Sequence, residues 1–249
     1  MTRERDSRDV VFGGAMKIYV VLNMRSTAMG LLGKAIAEAG GEVQHCAAYS
    51  SEELIRSPDG FDALIVMGGE QNALNDADFR CFPELLTLIR AFEAEDKAVL
   101  GICLGSQLVA RAFGGKNQVG GASEFAWSEI TLVNSSGYDP VVAALPPAFR
   151  QFQWHDDTFT LPPSAIRLAG SKAAENQMFR VGRACYGLQF HTEVGIDLAA
   201  EWCAMYRDIL LEKDPDWLDH AASEARLHGP GAQNVSNDLL KAWLDLVKR

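Results

Sequence analysis

Unbroken apolar runs alternate with amphipathic stretches over the first half of the chain, and short alternating runs replace them over the second. Lys17-Ile-Tyr-Val-Val-Leu22 is continuous enough for a strand covered on both faces, as in a parallel sheet. Residues 29–39 predict a helix ending at Gly40-Gly41, 42–46 a second strand, and 61–67 a third that runs straight into Gly68-Gly69. Residues 79–95 predict a helix with Leu85, Leu88, Ile89 and Phe92 on one face. Val99 to Ile102 then reads as a strand, Cys103 as the turn, and 107–113 as a helix. This is the rhythm of an open doubly wound sheet.

Beyond Gly115 the runs 128–133, 149–154, 166–169, 178–181 and 185–190 read as antiparallel strands and edge pieces, parted by the turns at Pro146-Pro147 and Pro162-Pro163. Residues 197–211 predict an amphipathic helix and 237–248 a terminal one, while 212–236 is polar and weakly patterned, a loop or short helix. Residues 1–15 carry both signs of charge without a period and read as a disordered leader before Met16. Gly30-Leu-Leu-Gly-Lys34 lacks the glycine spacing and following hydroxyl of a phosphate loop, so it reads as helix surface.

Composition narrows this picture. The 249 residues, 48% of them hydrophobic, suffice for one sizeable α/β domain with appendages. A net charge of −10 disfavours nucleic acid and acidic membrane surfaces as partners and suits a small-molecule substrate. Five cysteines, at 46, 81, 103, 185 and 203, show no C-x-x-C spacing, which argues against a disulfide framework and a structural zinc and for a reducing cytoplasm. No apolar run reaches the roughly 20 residues that span a bilayer.

The chemistry centres on Cys103, set between Gly101 and Gly105 at a strand-to-helix turn. Such a turn strains the backbone and tolerates no neighbouring Cβ, while the helix N-terminus favours a thiolate. A small buried residue at a glycine-rich strand end is the plainer alternative. A nucleophilic thiol needs a base and a group to orient that base. His191 and Glu193, two apart at a strand end, face one side and can pair, although a histidine there can equally be a satisfied core or surface residue. Gly68-Gly69 lets backbone N–H groups approach a reacting carbonyl, or is simply a turn.

Taken together, Gly-Ile-Cys103-Leu-Gly-Ser-Gln107, Gly187-Leu-Gln-Phe-His191-Thr-Glu193 and Gly68-Gly69 resemble the nucleophile elbow, the F-H-x-E signature and the oxyanion loop of class I glutamine amidotransferases. Within that family, Glu124-Phe-Ala-Trp127, Trp154-His155-Asp-Asp-Thr-Phe159 and Asn176-Gln177-Met-Phe179 resemble the amidotransferase domain of GMP synthase. The resemblance covers about residues 16–205 and implies a flavodoxin-like, mostly parallel open sheet with helices on both faces. A small antiparallel insertion and a helical extension over 206–249, packed on the domain, go with it.

It further implies that the Cys103 thiolate attacks the γ-amide of glutamine, that Gly69 and Leu104 amides hold the oxyanion, and that His191, oriented by Glu193, protonates the ammonia. Gly68, Gln107, His155 and Asp156 would hold the amino-acid end. No cofactor or metal is implied. The expected roles are an amidotransferase subunit feeding a separate synthetase, a stand-alone γ-glutamyl amide or peptide hydrolase with 206–249 as a lid or homodimer element, or a binding protein on the same fold. The chain departs from the family pattern at Ser106, where histidine is frequent, and at Asp156, where glycine is frequent, both expected beside the substrate pocket.

Overall fold

Alternate residues of the first strand, β1 (Lys17–Leu22), face opposite ways, and each set needs its own cover. Ile18 and Val20 join one apolar cluster; Tyr19 and Val21 join a second. The computed structural model describes residues 15–133 and 138–247. After β1 come α1 (Gly30–Glu38), β2 (Glu42–Ala47), β3 (Ala63–Val66), α2 (Phe82–Ala94), β4 (Ala98–Ile102) and α3 (Leu104–Ala112). These are followed by β5 (Asn117–Gln118), β6 (Glu124–Leu132), β7 (Ala148–His155), β8 (Thr158–Phe159), β9 (Ile166–Gly170), β10 (Met178–Val181) and β11 (Cys185–Leu188). The helices α4 (Ile196–Met205), α5 (Arg207–Lys213) and α6 (Trp217–Val247) complete the described chain.

One nine-stranded sheet, ordered β2-β1-β3-β4-β11-β10-β9-β6-β7, carries both halves, and β5 pairs with β8 separately. Strands β2, β1, β3, β4 and β11 run parallel, and β10, β9, β6 and β7 continue the sheet antiparallel. The mostly parallel, open α/β sheet with a helical extension is as expected. Helices α2 and α3 cover one face through residues such as Leu85, Ile89, Phe92 and Leu108. Helices α1 and α6 cover the other through Leu32, Ile36, Leu239 and Trp243. Burying each such side chain stabilises the fold by about 1.5–3 kcal/mol.

Three expectations need correction. Residues 185–190 do pair antiparallel with β10, but their other edge is parallel to β4, in register Cys185↔Val99 to Leu188↔Ile102. An alternating run does not reveal which strand a later fold places beside it. Residues 197–211 are not one helix, because the backbone turns at Tyr206 (φ −107°, ψ 25°) between α4 and α5. Most of 212–236 is neither loop nor short helix but the first two-thirds of the 31-residue α6.

Helix α6 runs through Gly229-Pro230-Gly231, although an interior proline costs about 3 kcal/mol. Its anchors outweigh that cost: Trp243, Leu239 and Leu240 are fully buried, and Gly229 sits where a Cβ would overlap Ile196. The leader 1–14 and Lys248 lie outside the described residues. No helix among the described residues is long and apolar enough to cross a membrane.

Candidate active site

At the end of β4 the backbone of Cys103 takes φ 51° and ψ −110°, a conformation that costs an L-residue roughly 1–3 kcal/mol. The flanking glycines show what enforces it. A Cβ on Gly101 would lie 2.5 Å from the Gly105 carbonyl oxygen, and one on Gly105 would fall on the Val66 carbonyl oxygen. The turn is therefore pressed against β3 with no room for side chains. Hydrogen bonds hold it from both sides, since the Cys103 N–H donates to the Leu188 carbonyl (2.8 Å) and the Ser106 hydroxyl to the Cys103 carbonyl (2.7 Å). Ser106 is fully buried beneath the turn and does not line the cleft, contrary to its expected place beside the substrate pocket.

Cys103 is only 6% exposed, yet it lines a cleft of about 440 Å³. Cys103 is thus both of the things its sequence context allowed, a nearly buried residue and a cleft-facing one.

Parallel pairing of β11 with β4 carries the chain past its last strand residue to the same edge of the sheet, where His191 and Glu193 stand. The His191 N–H donates to the Phe152 carbonyl (2.9 Å), tying it to β7, and the Leu31 N–H donates to the Glu193 carbonyl (2.9 Å) at the start of α1. A Cβ on Gly30, at φ +43°, would overlap that same carbonyl oxygen, so this glycine has a role that helix surface would not give it.

His191 Nδ1 lies 2.7 Å from Glu193 Oε1, with both residues buried. Burial alone would lower the imidazole pKa, but the negative charges of Glu193 and a Cys103 thiolate, with hydrogen bonds to both, raise it to about 10. The raised pKa favours the imidazolium, whose Nδ1–H then donates to Glu193.

Gly68 is the point on which the thiol and the imidazole converge. A Cβ there would be 3.4 Å from His191 Cε1 and 3.5 Å from Cys103 Cβ. At Gly69 a side chain would collide with Gln71 and stand 2.9 Å from both Asn23 Cβ and Leu104 Cδ2. Asn23 and Gln71 pin this loop, Asn23 donating to the Met67 carbonyl (2.7 Å) and Gln71 to the Asn23 carbonyl (2.6 Å). Among the described residues the amides of Gly69 and Leu104 have no hydrogen-bond acceptor, and both residues line the cleft.

Gln107, His155 and Asp156 line it too. Their polar ends are already engaged with the protein. Gln107 donates to Gln189 Oε1 (3.2 Å), His155 Nδ1 is 3.0 Å from the Asp157 carbonyl, and Asp156 accepts from the Ser123 hydroxyl (2.6 Å).

Sequence reasoning passed over several residues around the thiol and the cleft. Gln189, two before His191 and on the same side of the chain, places Nε2 3.8 Å from Cys103 Sγ. The period that linked His191 to Glu193 also contains this signal. Trp202 and Tyr206 come from the C-terminal helices, and nothing local announces them. The Trp202 ring stands edge-on to His191 at 5.1 Å, and the Tyr206 ring packs on Trp154 at 5.3 Å. The Tyr206 hydroxyl meets Ser26 Oγ (2.6 Å) and donates to Glu70 Oε1 (3.3 Å), joining α4–α5 to the loop that carries Gly69.

Comparison with known proteins identifies the family. The chain is 28% identical over 186 residues to the glutamine amidotransferase-like protein YfeJ of Salmonella typhimurium, covering 73% of this chain and 77% of that protein. It is 32% identical over 137 residues to a subunit of the glutamine-hydrolyzing GMP synthase of Sulfolobus acidocaldarius, covering 54% and 68%. A crystal structure of a glutamine amidotransferase from Thermotoga maritima superposes with a TM-score of 0.83 at 27% identity, covering 95% of this chain and all of that one. The family model of class I glutamine amidotransferases matches residues 20–201. With a thiol strained on a glycine-flanked turn and a carboxylate-held imidazole beside it, the chain belongs to the class I glutamine amidotransferase family.

Proposed function

We propose that the protein hydrolyses γ-glutamyl amides, glutamine being the simplest, through a thioester on Cys103. The observation that carries this reading is that Cys103 and the Glu193-held His191 both approach Gly68 and both line one cleft. The Cys103 thiolate attacks the γ-carbonyl carbon, and the Gly69 and Leu104 amides receive the developing oxyanion. The C–N bond breaks as the His191 imidazolium gives its proton to the leaving nitrogen. Water then adds to the thioester, giving a proton back to His191, and the C–S bond breaks to release glutamate.

The charges around His191 fit both halves of this cycle. While Cys103 is a thiolate, its charge helps hold the ring protonated. Acylation removes that charge, so the ring binds its proton less tightly when it must release one and later take one from water. Glu193 keeps the ring oriented throughout, and Gly68, Gln107, His155 and Asp156 hold the amino-acid end of the substrate.

Two fates of the released nitrogen follow. In one, ammonia passes to a separate synthetase, the arrangement suggested by the name of the Sulfolobus relative as one subunit of a synthase. In the other the protein acts unaided on γ-glutamyl amides or peptides, and the walling of the cleft by Trp202, Tyr206 and Ile209 of the C-terminal helices favours this one. The free thiols among the described residues suit a reducing cytoplasm.

The purified chain tests the shared chemistry. Wild type should release ammonia and glutamate from glutamine or another γ-glutamyl amide, and acid quenching should trap a γ-glutamyl adduct on Cys103 by intact mass. Turnover that survives Cys103→Ala would exclude this nucleophile.

A further inference from the structure

The cleft holds more than glutamine requires. Its volume of about 440 Å³ lies in the range of roughly 300–1,000 Å³ that encloses ligands well above a single amino acid in size. The surplus wall is apolar and aromatic. Trp154, whose carbonyl oxygen is 3.8 Å from Cys103 Sγ, packs its ring against Trp202 (5.9 Å) and Tyr206 (5.3 Å). Beyond them Ile209 of α5 is 49% exposed and Val119 is 60% exposed, two large apolar side chains left facing water at the rim of one cleft. Because both line the cleft, they extend the apolar wall that begins at Trp154.

Charge narrows the occupant. Among the described residues lining the cleft there is no lysine or arginine, while Glu70 and Asp157 line it. The glutamyl end of any substrate is a zwitterion with no net charge. A γ-glutamyl peptide adds a terminal carboxylate, which would meet Glu70 and Asp157 and no cationic side chain among the described residues lining the cleft. An amine leaving group adds no negative charge and departs as an ammonium ion, which the same carboxylates favour.

Resting on the reading of Cys103 as nucleophile, we infer that the preferred substrates are γ-glutamyl amides of apolar or aromatic amines that carry no carboxylate, with the amine portion against Trp154, Tyr206, Ile209 and Val119. The reaction is plain hydrolysis. The thiolate displaces the amine from the γ-carbonyl carbon, His191 supplies its proton, and water cleaves the thioester to glutamate.

Three substrates that differ stepwise test this with the full chain: glutamine, γ-glutamylphenethylamide and γ-glutamylphenylalanine, the last two differing by one carboxylate. The phenethylamide should exceed both others in kcat/KM by about tenfold or more, the scale on which apolar pockets discriminate. Ile209→Ser, a change at a half-exposed site, should narrow the phenethylamide-to-glutamine ratio by about threefold or more.

A Cys103→Ser variant gives a readout apart from turnover. Its tryptophan fluorescence should respond to the phenethylamide at lower concentration than to glutamine. If glutamine or γ-glutamylphenylalanine is used equally well, with an adduct on Cys103, the leaving-group assignment is wrong and the nucleophile assignment stands. If no substrate acylates Cys103, both are overturned.

Discussion

The two strands that end at the cleft bring their chemistry to it by different means. β4 delivers Cys103 through backbone packing: Gly101 lies against Gly105, Gly105 lies against the Val66 carbonyl of β3, and the residue between the two glycines takes a positive φ. β11 delivers His191 through distant partners, the Phe152 carbonyl on β7, the Leu31 amide on α1 and the Trp202 ring on α4. The first arrangement is rigid and tolerates no substitution in its glycines. The second depends on charge and on long-range contacts, so it should respond to pH and to single polar changes. Thiol and imidazole are thus held by different physics beside one cleft.

The largest effect should come from the rigid side. Cys103→Ala should lower hydrolysis by about 10⁴-fold or more while leaving the circular dichroism spectrum unchanged, because only the sulfur is removed. Gly105→Ala should cost more than about 3 kcal/mol in urea unfolding, since backbone of a central strand occupies the place of the new Cβ. If that variant unfolds like the wild type, the turn is not packed as described.

Glu193→Gln probes the other side. Removing its charge should lower kcat by about 10²-fold and shift the His191 titration, followed by NMR, to lower pH, because the carboxylate that raises the imidazole pKa is gone. The sign for stability follows from the same raised pKa. The paired imidazolium stabilises the fold in full below the unfolded pKa of about 6.5, and that contribution is lost as pH rises through about 10. Wild-type Tm should therefore fall across this window more steeply than that of Glu193→Gln. Parallel Tm curves would show that the pair adds no stability.

Smaller changes sharpen the contrast. Tyr206→Phe removes the hydroxyl that meets Ser26 and Glu70 and should cost about 0.5–1.5 kcal/mol, with a KM increase if α4–α5 shapes the cleft. Gly120→Ala is the control for crowding. Its φ of +66° is strained for alanine but its surroundings are open, so its cost should stay near ~1–2 kcal/mol, less than that of Gly105→Ala.

How far the sequence reveals this difference depends on where the relevant contacts lie. The elbow is legible because glycine, cysteine and glycine stand close together and the steric demand acts between neighbours. His191 and Glu193 are legible as a pair for the same reason, being two residues apart just beyond the end of β11. The run 185–190 misleads because an alternating pattern says that one face is buried, not which strand will lie alongside. The Gly229-Pro230-Gly231 stretch hides a helix because local propensity opposes one there. Burial of Trp243, Leu239 and Leu240, and the close fit of Gly229 on Ile196, decide otherwise.

The sequence by itself determined the fold class, the strained turn at Cys103 and the kind of group that could activate it, since each rests on sterics or periodicity within a few residues. Only the tertiary structure decided that β11 lies beside β4, bringing thiol and imidazole together at Gly68. It also decided that Trp202, Tyr206 and Ile209 wall the cleft and that Ser106 lies beneath the turn. Those placements depend on contacts between residues tens of positions apart, where chain connectivity fixes no distance and only the packing of the whole core does.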